Sequence, residues 1–152
     1  TFEEQLEIAN EVQKPVGLHQ RDAHEEFVSM ITSCRSDLSQ VVAHCFTGSI
    51  EDVNDYVLLD MYIGVTGWIC DERRGLSLQQ AVKHIPLDRI MLETDAPYLL
   101  PRDLQEKPVE KNRNEPCFLP HIARAVAGYM KIEEEKLIAA AYKNSYDFFS
   151  LC

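Results

Sequence analysis

Several features that mark membrane, secreted and nucleic-acid-coating proteins are missing from this sequence. It has no apolar run long enough to cross a bilayer and no signal-peptide pattern at its N-terminus, so we expect neither a membrane span nor secretion. It has only five cysteines, an odd number without a CxxC pair, which suits a reducing compartment better than a disulfide framework. We therefore expect a cytoplasmic protein, or a nuclear one if the source is eukaryotic.

Basic residues are also outnumbered. The chain has 15 Lys and Arg against 25 Asp and Glu, a net charge of -10, which argues against a surface that coats nucleic acid but leaves room for a local basic site. What is present is an ordinary globular composition. The 152 residues are 45% apolar and 26% charged, which predicts about one folded domain.

Short apolar runs alternate with stretches of helical periodicity along the chain. Runs that end at His19, His44, Val65 and Glu93 read as strands because they are apolar, short and bounded by turn residues. Strands that alternate with helices form a parallel sheet, and near-continuous apolar strands are typical of sheets covered on both faces. The sequence therefore predicts an α/β fold built from parallel β/α units.

The predicted helices carry recognisable start signals. Ser49 is a good N-cap for a helix over residues 50–59, and Asp22 followed by Glu25 resembles a capping box. Beyond Pro97 an irregular segment extends to about Glu115, and a loop of that length in a compact domain is usually functional or disordered. Two helices are predicted to follow, over residues 116–129 and 133–149.

Ionisable side chains stand at the ends of three predicted strands. His19 and His44 end two of them, and Asp95 follows the last, with Glu93 facing the same way on an extended strand. Parallel α/β folds place their active sites at the carboxyl ends of their strands. Imidazole with carboxylate suits zinc or manganese, and carboxylate with water also suits magnesium. The sequence thus predicts a divalent-metal site formed by His19, His44 and Asp95.

Each of these side chains also has a structural interpretation. A lone histidine is more often a hydrogen-bonded structural residue, and the carboxylates could cap a turn or pair with Arg89. Cys45 faces away from His44 on an alternating strand and is interpreted as a buried thiol. Three histidines on or at the ends of predicted helices are assigned structural roles: His24, His84 and His121.

Five runs of the sequence carry a resemblance to a known family. In order and spacing from end to end, they resemble the TatD family of metal-dependent deoxyribonucleases. The runs are LHQRDA (18–23), HCFTGS (44–49), GVTGWIC (64–70), LETDAPYL (92–99) and RNEP (113–116).

This resemblance implies a fold, an activity and roles for the strand-end residues. It implies a TIM-barrel metallohydrolase of the amidohydrolase type. The enzyme would be an exonuclease that hydrolyses phosphodiester bonds of DNA, either single-stranded DNA or DNA ends. Its cofactor would be a divalent metal, magnesium first, with zinc or manganese as alternatives. His19 and His44 would be metal ligands from the fifth and sixth barrel strands, and Asp95 would be the ligand and catalytic base from the eighth.

The sequence also departs from the family pattern. It contains neither the His-x-His motif of the first strand nor the bridging Glu of the fourth, and a complete barrel of this type needs about 250 residues. We therefore expect residues 1–152 to form a partial TatD-like domain that lacks the N-terminal half-barrel. Open sheet edges would then invite self-association.

Basic and aromatic side chains after the strand ends are candidates for substrate binding. Trp68 and Tyr98 could stack on bases, although core packing suits Trp68 as well. The alternative for the cations is that they are solvated loop charges paired with nearby acidic residues. The predicted phosphate-binding residues are Arg21, Arg73, Arg74, Arg102, Lys107, Lys111 and Arg113.

Two other functional classes remain open on this evidence. A barrel of this type hosts many chemistries, so the substrate could be another ester or an amide. The chain could also be a truncated, non-catalytic paralogue. A metal-dependent nuclease assay with an EDTA control distinguishes DNA hydrolysis from cleavage of another ester or an amide. The metal content of the purified chain tests whether it is a non-catalytic paralogue.

Overall fold

The computed structural model of the protein describes residues 1–106, 108 and 112–151. Four parallel strands form one sheet in this part of the chain. They pair in chain order, and the registers set Gly17 beside Val42, and Ile63 beside Ile90. This confirms the predicted α/β class with parallel β/α units. The strands are β1 (Val16–Leu18), β2 (Val41–Ala43), β3 (Tyr62–Val65) and β4 (Ile90–Leu92).

Helices connect the strands and complete the chain. The helices are α1 (Phe2–Val12), α2 (His24–Cys34), α3 (Ile50–Leu58), α4 (Leu76–Ala81), α5 (Leu119–Met130) and α6 (Glu134–Phe148). Short 3-10 turns lie at Arg35–Asp37, Gly67–Cys70, Val82–His84 and Pro116–Phe118. The long segment between β4 and α5 has neither helix nor strand until Pro116 among its described residues, in agreement with the sequence.

The helix starts were predicted with mixed success. Ser49 caps α3 as expected, and its hydroxyl accepts from the Asp52 amide while the Asp52 carboxylate accepts from the Ser49 amide. The capping box predicted at Asp22 is wrong, because α2 has Ala23 as its N-cap and no side-chain bond from that residue. With its amide oriented to satisfy both donors, Gln20 accepts from the Ala23 and His24 amides at 3.1 and 2.7 Å.

The two faces of the sheet have different environments. Alternate strand residues such as Val41, Ile63 and Ile90 are fully buried and belong to the main core, which includes apolar side chains from the helices. Val42 and Met91 point to the opposite face, where Phe148 of α6 packs on them in a second, smaller cluster. Helix α6 therefore covers part of this second face of the sheet, which we call the inner face.

Asn144, which precedes Phe148 on α6, binds the helix to strand β4. Its amide nitrogen donates to the Leu87 carbonyl at 2.8 Å and to the Ile90 carbonyl at 2.7 Å, and the residue is 4% exposed. Both carbonyls belong to the start of β4 or the turn before it. Asn144 therefore fixes the position of the helix against this strand.

Asn144→Ala is expected to lower the free energy of unfolding by about 1–3 kcal/mol, because it leaves buried carbonyl groups without a donor. Urea denaturation followed by circular dichroism measures the change. Asn54→Ala is the matched control, since Asn54 is exposed on α3, and it should stay within about 0.5 kcal/mol of wild type. Equal effects of the two substitutions would contradict this role for Asn144.

No helix among the described residues is long and apolar enough to cross a bilayer.

Candidate active site

The predicted strand-end residues meet at the carboxyl edge of the sheet. His19 directly follows β1, His44 directly follows β2, and Glu93 and Asp95 follow β4. Parallel strands end on the same side of a sheet, so these side chains are brought together from distant parts of the sequence. We call His19, His44, Glu93 and Asp95 the strand-end site.

His44 occupies the centre of the strand-end site. Its Nδ1 lies 2.7 Å from Glu93 Oε2, and its Nε2 lies 3.4 Å from Asp95 Oδ1. The His19 ring centroid is 5.9 Å from that of His44. The structure thus brings the three predicted ligands close together. Among the described residues, ligand atoms that all lie within 4.8 Å of one another occur in a different set: Cys70, Asp103 and His121.

Glu93 is the member of the site that was not among the predicted ligands. Its side chain is only 19% exposed, and Oε2 accepts from the Cys45 amide at 3.1 Å as well as facing His44. Burial raises the pKa of this carboxyl, the Asp95 charge adds to the rise, and His44 and the Cys45 amide oppose it. The alternation that aligns Glu93 with Asp95 was the signal in the sequence.

Gly64 makes room for the Glu93 carboxylate. A Cβ at this position would lie 1.9 Å from Glu93 Oε1, far inside contact distance. Gly64 is on β3, between the strands that carry His44 and Glu93. The absence of a side chain at Gly64 is therefore what lets the Glu93 carboxylate reach His44.

The backbone turns sharply beside two residues of the site. Cys45 and Asp95 have φ angles of 50° and 58°, in the left-handed region that non-glycine residues seldom adopt. Such conformations cost of order 1–3 kcal/mol and are concentrated at functional sites. The Asp95 turn is closed by the Tyr98 amide, which donates to the Asp95 carbonyl at 2.9 Å. Cys45 is 8% exposed, and burial raises the pKa of its thiol, as expected for a buried thiol.

A cleft of about 840 Å³ opens over this edge of the sheet. His19 and Asp95 line it together with Arg21, Trp68 and Arg74. The cleft therefore places two predicted metal ligands and two predicted phosphate-binding residues around one space. A second cavity, of about 380 Å³, lies on the inner face of the sheet and is lined by His44 and Glu93.

His24, which lines this cleft, makes two polar contacts with acidic residues of α3. His24 Nε2 lies 2.9 Å from Asp55 Oδ2, and His24 Nδ1 lies 3.4 Å from Asp52 Oδ1. The ring also packs at 5.4 Å from the Tyr56 ring. These contacts agree with the structural role assigned to His24.

Three of the predicted phosphate-binding arginines converge on Asp71. The Arg74 and Arg102 Nε atoms each lie 3.0 Å from Asp71 Oδ2, and Arg73 Nε lies 4.0 Å from Oδ1. Burial alone would raise the Asp71 pKa, but the Arg73 and Arg74 amides and the guanidinium groups lower it to about 2. We call Asp71, Arg73, Arg74 and Arg102 the Asp71 cluster.

The Asp71 cluster joins two loops beside the cleft. Arg74 Cζ lies 4.5 Å from the Trp68 ring centroid, a cation–π contact, and the Trp68 indole nitrogen donates to the Arg74 carbonyl at 3.2 Å. Arg74, Trp68 and Arg102 also line a neighbouring cavity of about 410 Å³. These ion pairs agree with the alternative from the sequence that the loop cations pair with nearby acidic residues, but Asp71 is buried, at 3% exposed, and contacts cations from both loops.

The other predicted substrate residues are exposed. Arg21 lines the cleft and lies 3.8 Å from Asp22, and Tyr98 is 71% exposed after the Asp95 turn. Arg113 is exposed beside the buried Asn114, whose amide donates to the Thr94 and Tyr98 carbonyls at 2.7 Å each. The predicted residues Lys107 and Lys111 lie outside the described residues.

Comparison with known families is decisive for the chain as a whole. The model of the family described as "TatD related DNase" matches residues 1–150. The chain belongs to the TatD family.

The relatives of this TatD family chain carry one name. The chain is 48% identical over 150 residues to the "3'-5' ssDNA/RNA exonuclease TatD" of Edwardsiella piscicida, and the match covers 99% of this chain and 57% of that protein. It is 54% identical over 126 residues to the protein of the same name from Pectobacterium atrosepticum, covering 83% of this chain and 48% of the relative. The chain thus spans about half the length of the curated relatives it matches.

Solved structures of the TatD family share the fold of this chain. A TatD homologue from Escherichia coli superposes with a TM-score of 0.85 at 27% identity, over 98% of this chain and 55% of that one. A TatD family hydrolase from Entamoeba histolytica gives a TM-score of 0.85 at 23% identity, over 97% and 55%. The described strands and helices therefore correspond to about half of a solved TatD family structure.

Proposed function

We propose that this chain supplies part of the active site of a metal-dependent nuclease that hydrolyses phosphodiester bonds in single-stranded nucleic acid, exonucleolytically. The observation that carries the proposal is the position of His44 between Glu93 and Asp95, beside His19, at the carboxyl edge of a TatD family sheet. The relatives' names, which specify single-stranded DNA and RNA, support this substrate class.

The donor set of the strand-end site fits a divalent metal. His19, His44 and Asp95 would hold the ion, which suits magnesium, manganese or zinc. Glu93 supports the fit, since its side chain is 19% exposed and its polar partners among the described residues are His44 and the Cys45 amide. When bound, such an ion would supply an activated water at neutral pH and charge neutralisation at the phosphate.

Glu93 and Asp95 have different proposed roles in the reaction. Glu93 faces Nδ1 of His44, which fixes the ring orientation and leaves Nε2 directed toward Asp95, where it would be available to hold the ion. Asp95, in the cleft, accepts the proton of the attacking water. The turn that the Tyr98 amide closes at Asp95 leaves this carboxylate facing His44.

Substrate binding is proposed for the cations around the cleft. Arg21 and Arg74 line the space next to His19 and Asp95, so a phosphate there would be close to both the cations and the metal ligands. Arg102 extends the basic surface into the neighbouring cavity, and the exposed Tyr98 ring offers a stacking surface for a base. Arg73 and Arg113 are proposed to contact phosphates farther from the cleft.

Arg21→Gln combined with Arg74→Gln is expected to weaken binding of single-stranded DNA uniformly across sequences. Each phosphate contact contributes about 0.7 to the slope of log affinity against log salt, so losing two should flatten the slope by about 1.4. Fluorescence anisotropy at several salt concentrations measures it. Arg124→Gln is the control, because Arg124 lies on α5 and pairs with Glu134. An unchanged slope in the double variant would show that neither arginine contacts a phosphate.

We also propose that residues 1–152 contribute one half of the family's barrel, with the remaining metal ligands coming from strands that this sequence does not contain. The sequence has no His-x-His motif, which supports this division. A version of the protein with a complete barrel is therefore the proper test of activity.

The proposed function is tested by substrate choice and metal dependence in that version. We expect stepwise shortening of single-stranded DNA and RNA that stops with EDTA and returns with added magnesium or manganese. Carboxylic ester and amide substrates should be cleaved far more slowly. Faster hydrolysis of an ester or amide would favour a metallohydrolase of another class, and bound metal without any hydrolysis would favour a non-catalytic paralogue.

A further inference from the structure

A second group of potential metal ligands lies away from the strand-end site. Cys70 ends the 3-10 turn after β3, Asp103 lies in the segment after β4, and His121 is near the start of α5. One ligand atom from each lies within 4.8 Å of the other two. We call these three residues the Cys70 cluster, and none of them is among the residues that line the 840 Å³ cleft.

The Cys70 cluster is buried at the sulfur and open to solvent on the side of Asp103. Cys70 is 4% exposed, whereas the side chains of His121 and Asp103 are 24% and 43% exposed. His121 Nε2 lies 2.7 Å from Asp103 Oδ1, so these two already face each other. An ion could enter from the side of Asp103 and meet the sulfur at the bottom of the site.

The chemistry of this set differs from that of the strand-end site. Thiolate, imidazole and carboxylate are all zinc ligands, and thiolate selects zinc and similar ions over magnesium. Zinc–nitrogen and zinc–oxygen bonds of about 2.0–2.1 Å in a tetrahedron require an N···O separation of about 3.3–3.4 Å. His121 and Asp103 would have to separate by less than 1 Å from their present hydrogen-bond distance.

We propose that Cys70, Asp103 and His121 bind a zinc-type transition-metal ion, with water as the fourth ligand, and thereby fasten the segment after β4 to α5. This site would be separate from the proposed nuclease centre and independent of it. The ion would replace the thiol proton, and the two anionic ligands would balance its two positive charges.

The alternative for the same atoms is a set of hydrogen bonds around one carboxylate. Burial raises the pKa of the Cys70 thiol, and the Asp103 charge adds to the rise. Without metal the protonated thiol and the imidazole can both donate to Asp103. Displacing that proton lowers the affinity for a metal, so only ions that bind thiolate strongly would occupy the site. A metal titration distinguishes the two arrangements.

Cobalt(II) is the probe, because a cobalt–thiolate bond gives a sulfur-to-metal charge-transfer band in the near ultraviolet. The 152-residue chain, freed of metal with chelator, is titrated with cobalt(II) and then with zinc. We expect a saturable band that zinc removes. Cys70→Ser should abolish the band and weaken zinc binding at least about a hundredfold, since losing a direct ligand exceeds the effect of losing an outer-shell partner.

Matched variants identify the sulfur and guard against unfolding. Cys34→Ala and Cys45→Ala should keep the band, as should His44→Ala, which alters only the strand-end site. Cys70→Ser is nearly isosteric and keeps a hydroxyl donor for Asp103, and His121→Gln, expected to bind zinc at least about tenfold more weakly, is a second test. Absence of the band in wild type, its persistence in Cys70→Ser or its loss in Cys45→Ala would each overturn the proposal.

Discussion

His44→Ala and Asp95→Asn are each expected to remove nearly all hydrolysis from a version of the protein with a complete barrel. Loss of a positioned general base costs about 10²–10⁴-fold in rate, and loss of a metal ligand adds to that. His44 contacts both carboxylates of the strand-end site, so its removal also releases Glu93 and Asp95. Initial rates on labelled single-stranded DNA measure the loss.

His84→Ala and Asp88→Asn are the matched controls for these substitutions. Both residues are surface residues away from the cleft, and the Asp88 side chain is 75% exposed. They should retain the wild-type rate, and circular dichroism should show all four variants folded. Hydrolysis at the wild-type rate by His44→Ala and Asp95→Asn would show that the site assignment is wrong.

The 152-residue chain by itself is expected to be inactive as a nuclease and to self-associate. Among the described strands, β1 and β4 are the edges of the sheet, and an unpaired edge offers backbone groups to another chain. His19, His44 and Asp95 are proposed to supply only some of the metal ligands. Displacing a reacting group by about 1 Å can cost about a hundredfold in rate.

Gel filtration with light scattering, run beside a nuclease assay on the same sample, tests this expectation. The apparent mass should rise above that of one chain and depend on concentration, while DNA stays intact with added magnesium or manganese. A stable monomer whose metal-dependent cleavage disappears in His44→Ala would refute both parts. Partial covering of the inner face by Phe148 reduces the exposed apolar surface but leaves the strand edges unpaired.

The elements of the fold could be predicted because their signals are local. The strand after α3 and the helix that Ser49 caps were predicted to within one residue, since apolar runs and caps depend on neighbouring positions. The prediction at Asp22 is wrong because it too used only neighbouring positions. Gln20, a residue with no strong capping preference, accepts the amides there because of how the chain leaves β1.

The contacts within the site could be predicted only where topology alone determines them. Parallel strands bring His19, His44 and Asp95 to one edge, which follows from the order of elements. The bond between His44 and Glu93 depends also on Gly64, whose missing side chain leaves the space. Convergence of Arg74 and Arg102 on Asp71 joins loops about 30 residues apart, and no local pattern specifies it.

The Asp71 cluster has a consequence for how such an enzyme could diverge. The proposed hydrolytic residues sit at strand ends, whereas the arginines depend on one buried carboxylate between two loops. Substitution at Asp71 would redistribute several cations at once without displacing a strand. A lineage could therefore alter the proposed phosphate-binding surface in a single step while the proposed hydrolytic residues keep their positions.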